Sequence, residues 1–269
     1  MNYHSDKWII DRILGHYSDA LEYFPRDRII CLALQGSQNY GLDVENSDID
    51  TKLLVAPSFH DIAMNKQPVS TTHVRPNNEH IDFKDVRLYM QNFRKANINF
   101  MEILFSPYTI VNPYYYSEWN RLVEAREAIA RYDVVRAIHA MRGTMYTKYK
   151  LVGSNSGNHA EAFERFGYCP KELYIMNRTE EFITRYINGE PYADCLVSKQ
   201  DELLKSIKNG CYTAGDALWM AKASLDRTNE LCDKFLETCD KTVNQEVDVL
   251  LNDVQYNIMK LAMKKELGE

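Results

Sequence analysis

The sequence predicts an α+β fold, with a strand-bearing segment over residues 1–112 and a helical region over residues 113–269. Three observations predict it. Short apolar runs closed by Gly or Pro recur through the first segment. Beyond Pro113 the apolar residues return at helical spacing. The composition shifts between the two near residue 112, which is the expected boundary between an α/β domain and a helical domain.

From Asp6 to Phe24, apolar side chains fall at Ile9, Ile10, Ile13, Leu14, Tyr17, Leu21 and Phe24, a helical period that Pro25 and Asp27 end. RIICLALQG follows, an apolar run rich in β-formers and closed by glycine, and reads as a buried strand. QNYGLDVEN is loop chemistry. SDIDTKLLVAP reads as a second strand stopped by Pro57. Residues 58–66 form a short helix, VSTTHV a strand, and RPNNE a turn. EHIDFKDV alternates, with Ile81 and Phe83 on one face and His80, Asp82 and Lys84 on the other. Helical spacing then resumes at Val86, Met90 and Phe93.

With 45% hydrophobic residues the chain can build a core. Its net charge of −6 lends no bulk support to a nucleic-acid partner, so such a contact would need a local basic patch. The cysteines at 31, 169, 195, 211, 232 and 239 form no Cys-x-x-Cys pair and read as free thiols. The first residues, MNYHSDKWIIDRILGHYSDA, lack a basic start and an unbroken apolar run. No stretch reaches the ~18 apolar residues of a membrane span. A cytoplasmic protein with no membrane partner is expected.

The informative stretch is LALQGSQNYGLDVENSDIDTKLL. A strand delivers Gly36-Ser37, a loop follows, and a second strand carries Asp48 and Asp50. Period-two geometry puts both carboxylates on one face while Ile49 points into the core. Two carboxylates this close repel each other unless a cation neutralises them. Mg²⁺ prefers oxygen ligands, using one or two carboxylates plus substrate phosphates. Gly36 lets the backbone approach a phosphate, and the Ser37 hydroxyl and nearby amides can donate to it. Asp82, on the polar face of the later strand, joins the site if that strand pairs beside the second. It would hold a second metal and accept the proton of an attacking hydroxyl.

Gly-Ser, a short loop, Asp-x-Asp and a later Asp together resemble the DNA polymerase β-like nucleotidyltransferase superfamily. The fuller string GSQNYGLDVENSDID, with Ser47 before the first Asp, resembles one branch: predicted nucleotidyltransferases associated with bacterial RNA repair operons and phage genomes. IDFKDVRLYMQNFRKANINFMEILFSP is similar to the same branch. PKELYIMNR resembles a helical motif of lysine, histidine and arginine, matched by Lys171 and Arg178, with Ile175 in place of the histidine. The resemblance implies a mixed sheet with flanking helices, two Mg²⁺ ions (with Mn²⁺ as a substitute) and an NTP donor. It implies Asp48, Asp50 and Asp82 as metal carboxylates, Gly36 and Ser37 as triphosphate ligands, and Lys52 as the basic residue after Asp-x-Asp. An RNA 3′ end, such as that of a tRNA, is the implied acceptor.

Bland alternatives stand beside several residues. Lys84, Arg87, Arg94 and Lys95 read as an exposed helix face, with phosphate contact as the alternative. Tyr114, Tyr115 and Tyr116 read as helix-start packing, and His139 and His159 as structural or solvated. MRGTMYTKYK is basic and aromatic, and Lys148 within it is a candidate phosphate contact opposite the carboxylates. Val247, Leu250, Leu251 and Val254 form a bundle core or a dimer surface. The rival functions are adenylylation of a protein or small molecule, and a non-catalytic nucleotide- or RNA-binding module.

Overall fold

The computed structural model describes residues 2–268. Helix α1 spans Asp6–Tyr23, and Ser5 caps it by accepting from the Trp8 amide. Strand β1 is Ile29–Gln35, β2 is Asp50–Val55, β3 is Ser70–Val74 and β4 is His80–Asp85. Between β2 and β3 lies α2, Phe59–Ala63, with a capping box formed by Ser58 and Asp61. Asp85 ends β4 and caps α3, Val86–Arg94, by accepting from the Arg87 amide. A short α4, Ile98–Met101, leads to β5, Thr109–Val111. Strand β5 has no mark in the sequence pattern, because three half-buried residues between prolines carry too little periodicity.

The sheet order is β3-β4-β2-β1-β5. Strands β2 and β4 run parallel, and the other neighbours run antiparallel, so the sheet is mixed. The fold is α+β, with helices flanking the sheet and a helical region after it. One sheet face is covered by α1: Ile9, Ile13 and Ala20 pack with Leu32, Leu34, Leu53, Ile81 and Phe83. β4 alternates as read, with Ile81 and Phe83 buried and His80, Asp82 and Lys84 half-buried.

After β5 come α5, Tyr116–Glu124, and α6, Arg126–Ala130. Tyr115 is buried at this helix start and donates its hydroxyl to Asp27 O at 2.7 Å. The chain forms two compact units: residues 1–133 with 243–269, and residues 134–242. The composition shift at residue 112 therefore marks the end of the sheet, and the first unit continues past it. The returning helix is α13, Gln245–Leu267, which packs on α3 and α5. Arg94 donates to Asp248 at 2.6 Å and to Asn252 at 2.9 Å, which ties α3 to α13. Val247, Leu251 and Val254 are buried there, as core of this unit.

The second unit is all helix among its described residues. It comprises α7 (Val134–Val152), α8 (Ala160–Phe166), α9 (Pro170–Ile187), α10 (Tyr192–Leu196), α11 (Asp201–Lys208) and α12 (Ala214–Thr238). Helix α9 is central, packing against α7, α10, α11 and α12. Arg142 of α7 reaches Asn229 and Asp233 of α12 at 2.9 and 2.7 Å. All six cysteines are free, and four of them are buried. No described helix is long and apolar enough to cross a membrane.

Candidate active site

Strand β1 ends at Gln35, and Gly36 turns the chain at φ 113°. Such a φ lies in the region that favours glycine. A Cβ at Gly36 would meet only Gln38 Oε1, at 3.6 Å, so the backbone conformation, not crowding, requires the glycine. The Gly36 amide donates to Glu102 Oε1 at 2.6 Å, and Asn39 Nδ2 donates to the same oxygen at 2.8 Å. Asn39 also donates to Leu34 O and accepts from the Ser106 hydroxyl at 2.8 Å. This gives a physical reason why NYG and MEILFSP occur together: the second segment braces the loop made by the first. The Gly36 amide is thereby committed to Glu102, so other groups of the loop would have to hold a phosphate.

Asp48 lies in the loop just before β2, and the hydrogen-bonded ladder begins only at Asp50. The sequence reading set both aspartates on the strand, but Asp48 is placed by side chains instead. Gln38 Nε2 donates to Asp48 O at 2.6 Å, and the Ile49 amide donates to Glu79 Oε1 at 3.2 Å. Ile49 is fully buried, as its position between the aspartates implied. Ser47 accepts from the Val44 amide at 2.9 Å and so closes the turn before Asp48.

Asp50 stands opposite His80 in the parallel β2–β4 register. The His80 amide donates to Asp50 Oδ1 at 3.1 Å, and His80 Nδ1 lies 3.0 Å from the same oxygen. Burial, and then the charge of Asp48, raise the Asp50 pKa, against the lowering effect of His80. That cost in holding two neighbouring charges is what a divalent cation would relieve, and an oxygen-only pair suits a hard one.

Asp82 stands opposite Lys52, two residues along β4 from His80. The register shows it sharing the face of Asp50 and Lys52. Lys52 Nζ donates to its Oδ2 at 3.0 Å, Lys84 Nζ lies 3.1 Å from Oδ1, and the Thr72 hydroxyl donates to Oδ1 at 3.1 Å. Lys52 is nearly buried and also sits over the Phe100 ring, 4.8 Å from its centre. The structure thus brings Asp48 near Asp50 but occupies Asp82 with two lysines. Among the described residues, no three His, Cys, Asp or Glu side chains are grouped to hold a metal.

Several residues of this region escaped the sequence reading. Glu79, 1% exposed, receives Arg12, His16, Arg75 and Asn77 as well as the Ile49 amide. His16 is fully buried, with Nδ1 2.8 Å from Thr51 Oγ1 and Nε2 2.9 Å from Glu79 Oε2. Tyr89 is fully buried with no hydrogen-bond partner on its hydroxyl. Burial first, and then neighbouring Cys31, Asp82 and Glu102, push its pKa well up. A lone Glu before a strand and a lone His on a helix carry no motif, which is why spacing alone could not find Glu79 or His16.

Lys148, Lys171 and Arg178 belong to the second unit. Lys148 pairs with Glu172 at 2.8 Å, and His159 Nε2 lies 3.1 Å from the same carboxylate. Lys171 is exposed and Arg178 half-buried on α9. Lys84 pairs with Asp82, Arg87 with Asp85 and Arg94 with Asp248, so these basic residues serve local ion pairs and helix packing.

No known family profile matches the chain, and no curated protein matches it. Among solved structures it is similar to a nucleotidyltransferase-like protein from Exiguobacterium sibiricum 255-15. That similarity covers 93% of this chain and 88% of the other, at 9% identity and a TM-score of 0.32. The functional reading therefore rests on the residues themselves.

Proposed function

We propose that the chain is a metal-dependent nucleotidyltransferase that moves a nucleoside monophosphate from an NTP to a hydroxyl acceptor, releasing pyrophosphate. One observation carries the reading. Asp48 and Asp50 are held beside each other next to a Gly36-Ser37 turn, at the cost expressed in the raised Asp50 pKa. Such a cost is ordinary at a functional centre and uncommon on a bland surface strand.

Mg²⁺, with Mn²⁺ as substitute, would be held by Asp48 and Asp50, and its chemistry would be to polarise the α-phosphate and neutralise the leaving pyrophosphate. The rest falls to side chains. His80 fixes one oxygen of Asp50, which orients the carboxylate. Gln38 and Glu79 set the backbone on either side of the Asp48–Ile49 peptide. Ser37 offers a hydroxyl to the triphosphate. Lys52 and Lys84 both pair with Asp82; if phosphates draw both lysines away, Asp82 is released to accept the acceptor's proton. The proposed acceptor is an RNA 3′ end, because the resembling branch travels with RNA repair. A protein or small-molecule hydroxyl is the alternative within the same chemistry.

A second reading has a specific observation in its favour. With Asp82 neutralised by Lys52 and Lys84, the fold could hold a nucleotide without turning it over. One experiment separates the two. The chain is incubated with each α-labelled NTP, Mg²⁺ or Mn²⁺, and total RNA, beside the Asp50→Asn variant. Transfer of label to RNA, lost on the order of a hundredfold or more in the variant, supports the enzyme. NTP binding without label transfer to any acceptor sinks it in favour of the binding module.

A further inference from the structure

A second site lies in the helical unit. A cavity of about 600 Å³ opens among α9, α11 and α12, within the ~300–1,000 Å³ of small-molecule pockets. Three basic and three acidic side chains line it, Arg185, Lys199 and Arg227 against Glu180, Glu181 and Glu190. They neutralise one another, with Glu190 shared by two bases and Glu181 lying 3.6 Å from Arg185. Arg185 meets Glu190 at 2.9 Å, Lys199 meets Glu190 at 3.0 Å, and Arg227 grips both oxygens of Glu180 at 2.6 and 3.0 Å. An anionic ligand would have to break these pairs, whereas a neutral one leaves them intact.

Two further features describe that neutral ligand. Trp219 lines the cavity yet is 71% exposed, so a flat ring laid against its indole would cover a large apolar surface. Asn177, also on the wall, is nine-tenths buried. Its Nδ2 donates to Leu173 O at 2.9 Å, and its Oδ1 is not one of the fully buried polar atoms left without a partner. An amide oxygen on a cavity wall can accept from an N–H group of a ligand. A planar aromatic face combined with an N–H edge and no charge is the chemistry of a nucleobase.

We propose that this cavity binds a nucleobase, stacked on Trp219 and donating to Asn177, with no contribution from phosphate. The proposal uses residues of the second unit alone and does not depend on the function proposed for the aspartates. The base could come from a free nucleoside or from the unpaired end of an RNA.

The test uses the full chain, titrated calorimetrically and by tryptophan fluorescence with adenosine, guanosine, cytidine and uridine. At least one nucleoside should bind and quench fluorescence, with an affinity that hardly changes between low and high salt. Trp219→Ala should weaken binding on the order of tenfold or more, the value of one base–aromatic stack. Trp219→Phe should retain binding without the quench, which guards against loss by misfolding. Asn177→Asp should change which base is preferred. Lys234→Ala, an exposed substitution outside the cavity lining, should leave nucleoside binding untouched. Competition by a short RNA ending in the preferred base would make the RNA end the source, and its failure would make it the free nucleoside. The proposal is overturned if no nucleoside binds, or if Trp219→Ala binds as well as the parent.

Discussion

Replacing Glu79 by Gln should cost the chain about 3 kcal/mol at neutral pH, and that loss should shrink in acid. Burial would raise the Glu79 pKa, but hydrogen bonds from His16, Arg12 and Asn77 and the Arg12 charge outweigh it and lower the value from 4.5 to about 2. A difference of about 2.5 units at about 1.4 kcal/mol each gives the figure. The group is 1% exposed, so solvent screening removes little of it. The sign follows from linkage. A carboxylate whose folded pKa is depressed contributes its full stability above the unfolded value of 4.5, and loses it as pH falls through about 2. At neutral pH the expected drop in melting temperature is roughly 6–12 °C, at about 2–4 °C per kcal/mol. Thermal melts followed by circular dichroism from pH 7 down to about pH 2 read this directly. The parent should lose its advantage over Glu79→Gln between about pH 5 and about pH 2. A gap of constant size across that range would refute the assignment of the stability to the Glu79 charge.

Other perturbations probe the site itself. Asp50→Asn should raise the melting temperature at neutral pH, because a carboxylate with a raised pKa favours the fold only when protonated. A lower melting temperature would contradict the crowding argued for Asp48 and Asp50. Glu102→Ala should destabilise by roughly 1–3 kcal/mol, by leaving the Gly36 amide and Asn39 without their shared acceptor. Denaturant unfolding would measure it, with Glu102→Gln expected to lose less. Gly36→Ala should cost on the order of 1–2 kcal/mol from its φ alone, since the space around it is open. A neutral result in the same assay would mean that the turn relaxes to another conformation.

Much of the architecture was legible in the residues. Period-two alternation placed Ile81 and Phe83 inside and Asp82 outside, because a strand facing a core on one side leaves that mark. The apolar run Ile29–Gln35 and the helical period of Asp6–Tyr23 were equally plain. Gly36 announced a turn, and Ile49 announced that its neighbours face away from the core. These features depend on nearest neighbours along the chain, and spacing records them.

The tertiary structure decided what depends on residues far apart. It paired Lys52 with Asp82 across 30 positions, through a parallel register that no local pattern encodes. It gave the Gly36 amide to Glu102, 66 positions away, and the Ile49 amide to Glu79. It also brought α13 back to α3, so the first unit outlasts its sheet. The sequence by itself determined which groups could carry chemistry, since residue type and spacing suffice for that. The fold alone decided which charges stay available, because side-chain partners are settled by distance in space.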